Sequence, residues 1–222
     1  GTDLVNADSS ADVDSLNAGL FPEEAGETHQ FTVADQGSEE PREITLTTVE
    51  MTMDPVQDVQ IISTSSGEVG YLSFTDHIRP AEQELIDAVT QLETAAITDL
   101  VLDLRYNGGG FLDIANELAF MIAGPAAADG RTFEELEFND KHPVFNPVTG
   151  ETLTPTLFYT SSIGFSAPAG EPLPSLNLSR VFVLTGPGTC SASESIINGL
   201  RGIDVEVIQI GSSTCGKPYG FY

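Results

Sequence analysis

Three short segments contain residue types that could catalyse a reaction together: DLRYNGGGFLD at 103–113, TCSASES at 189–195 and STCGKPYG at 213–220. The first predicts a strand that runs into three glycines and then a helix, so its loop can present backbone N–H groups. The second places Ser191 at a turn from strand to helix, and the third supplies Lys217. A serine, a lysine and free N–H groups are the parts that acyl transfer requires, and the sequence therefore predicts a serine peptidase.

Ser191 has two interpretations. The strand ending in TGPG turns into a helix at this serine, where free N–H groups and the helix dipole favour developing negative charge. The run SASE is also a capping box, with Glu194 reaching back to Ser191, and on these four residues alone a cap is the commoner case. Ser193 and Ser195 compete for the role of nucleophile, but on a helix begun at 191 they point elsewhere.

Lys217 comes directly after a predicted strand and a Thr-Cys-Gly turn, whereas the other lysine of the α/β part, Lys141, lies in a polar loop. A lysine acts as a base only when neutral, which requires a pKa lowered from about 10.4 towards 7–8 by desolvation. That change corresponds to about 4 kcal/mol of differential solvation, which a local apolar pocket can supply even in an acidic protein. The alternative is a surface lysine at the edge of the sheet.

The glycines at 108–110 could hold a turn, allow close packing of helix on strand, or present N–H groups to an anion. Neither G-x-G-x-x-G nor G-x-x-x-x-G-K-[ST] is present, so a phosphate loop is disfavoured. An oxyanion hole fits better, with one glycine N–H and the N–H of Ala192 after the serine. Arg105 is expected to anchor this loop by hydrogen bonds rather than to touch substrate.

The histidines do not form a metal site, because His29, His77 and His142 occur in unlinked contexts without metal-ligand spacing. We expect no metal and no cofactor. His77, at the end of a predicted strand, is a remote candidate for a Ser/His arrangement. The cysteines, Cys190 and Cys215, precede Ser191 and Lys217 closely, so we expect them to be near each other, as a bridge or as two free thiols.

The chain has 222 residues, 34 acidic residues against 8 Lys plus Arg, and a formal net charge of −26. Such a surface repels phosphate backbones and anionic lipid, which disfavours nucleic-acid and membrane-surface partners. The favoured explanation of the acidity is a salt-adapted source, and the charge then indicates nothing specific about the substrate. No window approaches the roughly 18 apolar residues of a spanning helix. The chain opens without methionine and stops five residues after Lys217, so we expect native sequence to be missing at both ends.

The pattern of elements changes along the chain. Residues 1–50 predict a small β-rich part with strands HQFTV and REITLTTV, and residues 51–58 a linker. From 59 onward, strands alternate with helices, which indicates a layered α/β fold. The predicted strands are 59–64, 69–74, 100–104, 180–186 and 205–211, and the predicted helices are 80–95, 111–124 and about 191–201. Residues 125–179 predict long loops and short strands over the surface.

The three motifs in this order, each after a strand, resemble the C-terminal processing peptidases, also called tail-specific proteases. The resemblance covers about 59–222 and implies a crotonase-like or ClpP-like layered α/β core. It implies Ser191 as nucleophile and Lys217 as general base. It further implies an oxyanion hole from Ala192 and a loop glycine, Gly109 as first choice and Gly110 as second.

The resemblance also extends to residues 1–50, which are similar to the second half of a PDZ domain: a turn at GTDLVNA, a helix at DSLNAGL and two last strands. It implies a periplasmic, cell-envelope or secreted location and a protein or peptide substrate cleaved near its C-terminus. The chain departs from the family at Phe221, where a glutamine is often found. The resemblance implies that the PDZ half with a carboxylate-binding loop is to be expected upstream of Gly1. The oligomeric state is left open, and a non-catalytic peptide- or ligand-binding protein on the same fold is the alternative.

Overall fold

The computed structural model describes residues 6–7, 9–37 and 40–217, which form two compact units divided between Thr52 and Met53. The predicted turn at 1–7 and Phe221 therefore lie largely or wholly outside the described residues.

The first unit contains one helix and one hairpin. Helix α1 (Ser10–Leu20) begins where the side chain of Ser9 accepts a hydrogen bond from the N–H of Asp12, as an N-cap does. Strands β1 (Thr28–Val33) and β2 (Arg42–Thr47) pair in antiparallel register. This agrees with the helix and strands expected for residues 1–50, and the assignment of the unit to a PDZ domain stays a prediction.

The second unit alternates strands and helices, as its sequence predicts. In chain order it contains β3 (Val56–Thr64), β4 (Gly67–Phe74), α2 (Ala81–Thr94), β5 (Asp99–Asp103), α3 (Leu112–Ala123), α4 (Pro125–Ala128), β6 (Thr132–Glu134), β7 (Thr156–Leu157), β8 (Arg180–Thr185), α5 (Ala192–Gly202) and β9 (Glu206–Gly211). The main strands and helices begin and end within a few residues of their predicted bounds. Strand β3 is the largest departure, because it begins inside the segment predicted as a linker.

A five-stranded sheet forms the centre of this unit, in the order β3-β4-β5-β8-β9. Strand β3 runs antiparallel to β4, and the other neighbours are parallel. Strand β5 is buried along almost its whole length, as its continuous apolar run predicts. This mixed sheet with helices confirms the layered α/β fold.

The helices bury different fractions of their surfaces. Helix α2 buries one face that includes Leu85, Val89 and Leu92, while Ile86, predicted on that face, is only partly buried. Helix α3 is buried from Ile114 to Ala123 and contacts both α2 and α5. It therefore forms the middle of the core.

The topology places all three motifs at one edge of the sheet. Strands β5, β8 and β9 are parallel neighbours, so their carboxyl ends lie side by side. The glycine loop follows β5, the serine turn follows β8, and the lysine segment follows β9.

Candidate active site

Ser191 occupies the turn into α5 with an unusual backbone conformation. Its φ is 58° and its ψ is −118°, a region that non-glycine residues seldom adopt. Such a conformation persists only where neighbouring contacts hold it, and it occurs often at functional sites. The half-buried serine thus lies at the N-terminus of α5, as the sequence predicts.

Glu194 connects the serine turn to the lysine segment. One carboxylate oxygen accepts hydrogen bonds from the N–H of Ser191 at 2.9 Å and of Lys217 at 3.0 Å. The other accepts from the Thr214 hydroxyl and from the N–H of Gly216, both at 2.7 Å. The capping glutamate of the sequence analysis therefore has partners on two segments.

A disulfide makes a second connection between the same segments. Cys190 and Cys215 are bridged with their Cα atoms 5.2 Å apart, which settles the choice between a bridge and two thiols. The N–H of Cys215 also donates to the carbonyl oxygen of Thr189 at 3.0 Å. Among the described residues, the one group with metal-ligand proximity is Cys190, Glu194 and Cys215, and its two sulfurs are committed to the bridge.

The two proposed dyad residues lie close in the backbone. Because the N–H groups of Ser191 and Lys217 donate to the same oxygen, their nitrogens are within about 6 Å of each other. The Lys217 residue is exposed, and within residues 9–37 and 40–217 no hydrogen bond joins its ammonium to the Ser191 hydroxyl. The structure thus brings the segments together without showing the expected side-chain contact.

The glycine loop packs directly against the serine turn. A Cβ placed on Gly109 would lie 2.8 Å from both the Cys190 carbonyl oxygen and the Ser191 Cβ. The N–H of Gly109 donates to the side-chain oxygen of Asn107 at 2.9 Å. In the part of the chain described, the N–H groups of Gly110 and Ala192 donate no hydrogen bond.

Asn107 is a residue that the sequence analysis did not single out. Its side-chain N–H donates to the carbonyl oxygen of Phe74, and its own carbonyl oxygen accepts from the Cys190 N–H and the Ser193 hydroxyl. Asn107 is fully buried and links the end of β4, the glycine loop and the serine turn. The sequence pattern that could have identified Asn107 is its position directly before three glycines. The bond from Ser193 also explains why this buried hydroxyl is a structural group.

His77 supports the glycine loop from the other side. Burial lowers its pKa to about 4, so the ring is neutral at pH 7. Its Nδ1 lies 2.9 Å from the Asn107 side-chain oxygen, which assigns the proton to Nδ1. Its backbone N–H donates to the Gly109 carbonyl oxygen, and its carbonyl oxygen accepts from the Phe111 N–H. No described contact joins this ring to Ser191.

The remaining candidates have structural contacts. The Arg105 guanidinium donates to both oxygens of the buried carboxylate of Asp103, which also accepts a hydrogen bond from the Tyr71 hydroxyl. This agrees with the anchoring role expected for Arg105. His29 lies 3.3 Å from Glu27 in the first unit.

Residues 68–220 match the family described as Peptidase family S41. The chain belongs to peptidase family S41. Its motifs are therefore those of a peptidase family, as the resemblance to C-terminal processing peptidases predicted.

Curated relatives of this S41 chain include two cyanobacterial proteins. A carboxyl-terminal-processing protease of Picosynechococcus sp. is 25% identical over 211 residues, covering 92% of this chain and 44% of that protein. Another, from Synechocystis sp., is 32% identical over 87 residues, covering 39% of this chain and 20% of that protein. The chain spans less than half the length of these relatives.

Solved structures show the same fold. A proposed S41 protease from Bacteroides fragilis has a TM-score of 0.61 and 28% identity, covering 92% of this S41 chain and 51% of that chain. A photosystem II D1 C-terminal processing protease has a TM-score of 0.54 and 20% identity, covering 88% and 46%. None of the helices in the described ranges is long and apolar enough to cross a membrane.

Proposed function

We propose that this chain carries the catalytic site of a serine endopeptidase, with Ser191 as nucleophile and Lys217 as general base. The observation that carries the proposal is the double connection between their segments, through the Glu194 carboxylate and through the Cys190–Cys215 bridge. Two independent connections over the same gap keep the serine turn and the lysine segment together.

The proposed reaction proceeds through an acyl-enzyme. The Ser191 oxygen attacks the scissile carbonyl carbon of an extended peptide while the Lys217 amine takes the hydroxyl proton. The lysine then gives that proton to the leaving amine as the C–N bond breaks. Water hydrolyses the resulting ester and restores the serine.

The oxyanion of the tetrahedral intermediate needs free backbone donors. Because the Gly109 N–H already donates to Asn107, the structure favours Gly110 as the loop donor, together with Ala192. Each such donor contributes roughly 3–4 kcal/mol to stabilisation of the transition state. Gly109 keeps a different role, since only a residue without Cβ allows the loop to approach the serine turn so closely.

A fluorophosphonate probe, which labels activated serines, tests the assignment of the nucleophile. We expect labelling that disappears in Ser191→Ala, and hydrolysis of peptides that disappears in the same variant. Lys217→Ala and Lys217→Arg should both be folded and inactive. Alanine has no basic group, and guanidinium does not deprotonate at accessible pH. Lys141→Arg, in an exposed loop, is the matched control and should keep full activity. Full activity of Lys217→Arg would exclude this lysine as the base.

The second candidate is a non-catalytic peptide-binding protein on the same fold. The exposed side chain of Lys217, without a described hydrogen bond to the Ser191 hydroxyl, favours it. The same probe separates the two functions: a binding protein would bind peptide but would neither be labelled at Ser191 nor release a cleaved product.

We further propose that the substrate is a protein or peptide cleaved near its C-terminus, on the strength of relatives named carboxyl-terminal-processing proteases. We also propose a periplasmic, cell-envelope or secreted location. The disulfide beside the site supports it, since such bridges persist in oxidising compartments.

A further inference from the structure

An exposed arginine lies over two phenylalanine rings beside the glycine loop. The Arg79 guanidinium carbon is 5.8 Å from the centre of the Phe111 ring and 5.1 Å from that of Phe165. The two rings are themselves in contact, with centres 4.6 Å apart. Cation–π attraction therefore holds this cation on an aromatic surface. We call Arg79, Phe111 and Phe165 the Arg79 cluster.

The cluster is adjacent to the proposed oxyanion donor. Phe111 follows Gly110 directly, and the N–H of Phe111 donates to the His77 carbonyl oxygen at 2.9 Å. Arg79 is two residues further along the segment that starts at His77. Consecutive Cα atoms are about 3.8 Å apart, and an extended peptide advances about 3.3 Å per residue. The path from the Gly110 Cα through the Phe111 ring to the guanidinium carbon is at most about 15 Å long, so substrate residues about two to four positions from the scissile bond can reach the guanidinium.

The cluster is held in place before any ligand binds. Phe165 lies between Gly164 and Ser166, whose N–H groups both donate to the buried carboxylate of Glu82, at 2.8 and 2.6 Å. Ala167 donates to the same carboxylate at 2.7 Å. Three backbone donors hold this carboxylate in place, and with it the loop that carries Phe165.

Among the described residues, Arg79, Arg131 and Arg201 form no ion pair, whereas the other three arginines do. Arg42, Arg105 and Arg180 each pair with an aspartate, in a protein of net charge −26. Arg79 forms no ion pair with any carboxylate in the described part of the chain. Its guanidinium keeps a planar set of donors that fits a carboxylate in two parallel hydrogen bonds.

We propose that Arg79 binds a carboxylate of the substrate, two to four residues from the scissile bond, while Phe111 and Phe165 contact the apolar part of the same region. The proposal rests on the peptidase function above and specifies the substrate that this site prefers. The carboxylate comes either from the C-terminus of the peptide or from an Asp or Glu side chain, since the two groups present the same oxygens.

Three peptides of one sequence distinguish the two sources: a free acid without acidic side chains, its C-terminal amide, and the amide with one Glu placed two to four residues from the cleaved bond. For the unaltered protein we expect kcat/KM of about tenfold higher for a carboxylate-bearing peptide than for the neutral amide, in low salt. Preference for the free acid identifies the C-terminus, and preference for the Glu peptide identifies a side chain.

Arg79→Gln should abolish this preference, so that the variant cleaves the charged and the neutral peptides with equal kcat/KM. Arg201→Gln removes the same charge at the far end of α5 from Ser191 and should keep the preference. An unaltered protein without preference, or a preference that survives in Arg79→Gln, overturns the proposal.

A binding measurement separates this proposal from the peptidase function. Fluorescence anisotropy with labelled peptides on Ser191→Ala, with and without Arg79→Gln, needs no turnover. If the unaltered protein cleaves no peptide, the proposed function fails. The roughly tenfold difference in Kd between charged and neutral peptides then still supports or contradicts the role of Arg79.

Discussion

Replacing Glu194 by glutamine tests whether its carboxylate positions the site. One oxygen accepts from the Ser191 and Lys217 N–H groups, and the other from Thr214 and Gly216. Glutamine replaces one oxygen with an NH2 group, so two donors face another donor whichever way the amide turns. At about 1–3 kcal/mol for each unsatisfied group, and with part of the segment exposed, we expect a loss of about 2–4 kcal/mol in the free energy of unfolding.

The assays for Glu194→Gln are thermal unfolding, hydrogen exchange and peptide hydrolysis. For a chain of this size the midpoint should fall by about 5–15 °C. Amide exchange should accelerate at Ser191, Gly216 and Lys217. On the proposed mechanism kcat should also fall, because the segment of the proposed base is no longer held beside that of the proposed nucleophile. Glu93→Gln, on the exposed face of α2, is the control and should change stability by less than about 0.5 kcal/mol.

The effect of Glu194 also has a defined pH dependence. Burial raises the pKa of the Glu194 carboxyl, but the hydrogen bonds from Thr214, Lys217, Ser191 and Gly216 outweigh burial and leave it below its usual 4.5. The stabilisation is therefore present above that pH and is lost as the pH falls through the lowered pKa. A Glu194→Gln protein with unchanged melting, exchange and turnover at pH 7 would refute the positioning role.

Three further predictions concern the loop, the bridge and a buried acid. Gly109→Ala should lose activity and labelling, because its Cβ would lie 2.8 Å from the Cys190 carbonyl oxygen. The control Gly108→Ala should be active, because a Cβ there meets nothing within 4 Å. Equal activities of the two variants would contradict this packing. Reducing the Cys190–Cys215 bridge, which spans 25 residues, should cost about 3.5 kcal/mol in chemical unfolding and lower kcat, and an unchanged midpoint would argue against it. Burial raises the pKa of Glu117 to about 8, so stability should decline from pH 5 to 9 in the unaltered protein and less so in Glu117→Gln; parallel pH profiles would exclude this origin.

The sequence predicted the elements whose patterns are set by local residues. The apolar run at 100–104 and the amphipathic pattern at 80–95 correspond to β5 and α2, because burial on both faces or on one face leaves a direct trace in the sequence. The predicted start of β3 lies three residues after the observed start at Val56. Val56 follows Pro55, a residue type that also suits a linker, and Asp58 has a positive φ, which interrupts the regular strand pattern.

The sequence predicted which segments meet at the site, but it did not predict the hydrogen bonds between them. The order of motifs after parallel strands fixes which segments meet, so the edge holding Ser191 and Lys217 followed from the sequence. The bond from the Gly109 N–H to Asn107 did not, because it depends on a side-chain orientation. The contacts of Glu194 with residues 20–23 positions away were likewise hidden behind a local capping pattern that the same carboxylate also satisfies.

The order of the segments along the chain has a consequence for biosynthesis. The ribosome delivers the glycine loop and the serine turn first, and it delivers Lys217 only after β9, which pairs with β8 in the described part of the chain. Translation proceeds at about 5–20 residues per second, and domains fold as they emerge. Until β9 has joined the sheet, Glu194 and Cys190 lack their partners at 214–217, so on the proposed mechanism the nascent chain has a nucleophile but no base. On that mechanism, the nascent chain gains the ability to cleave peptides only when β9 has joined the sheet.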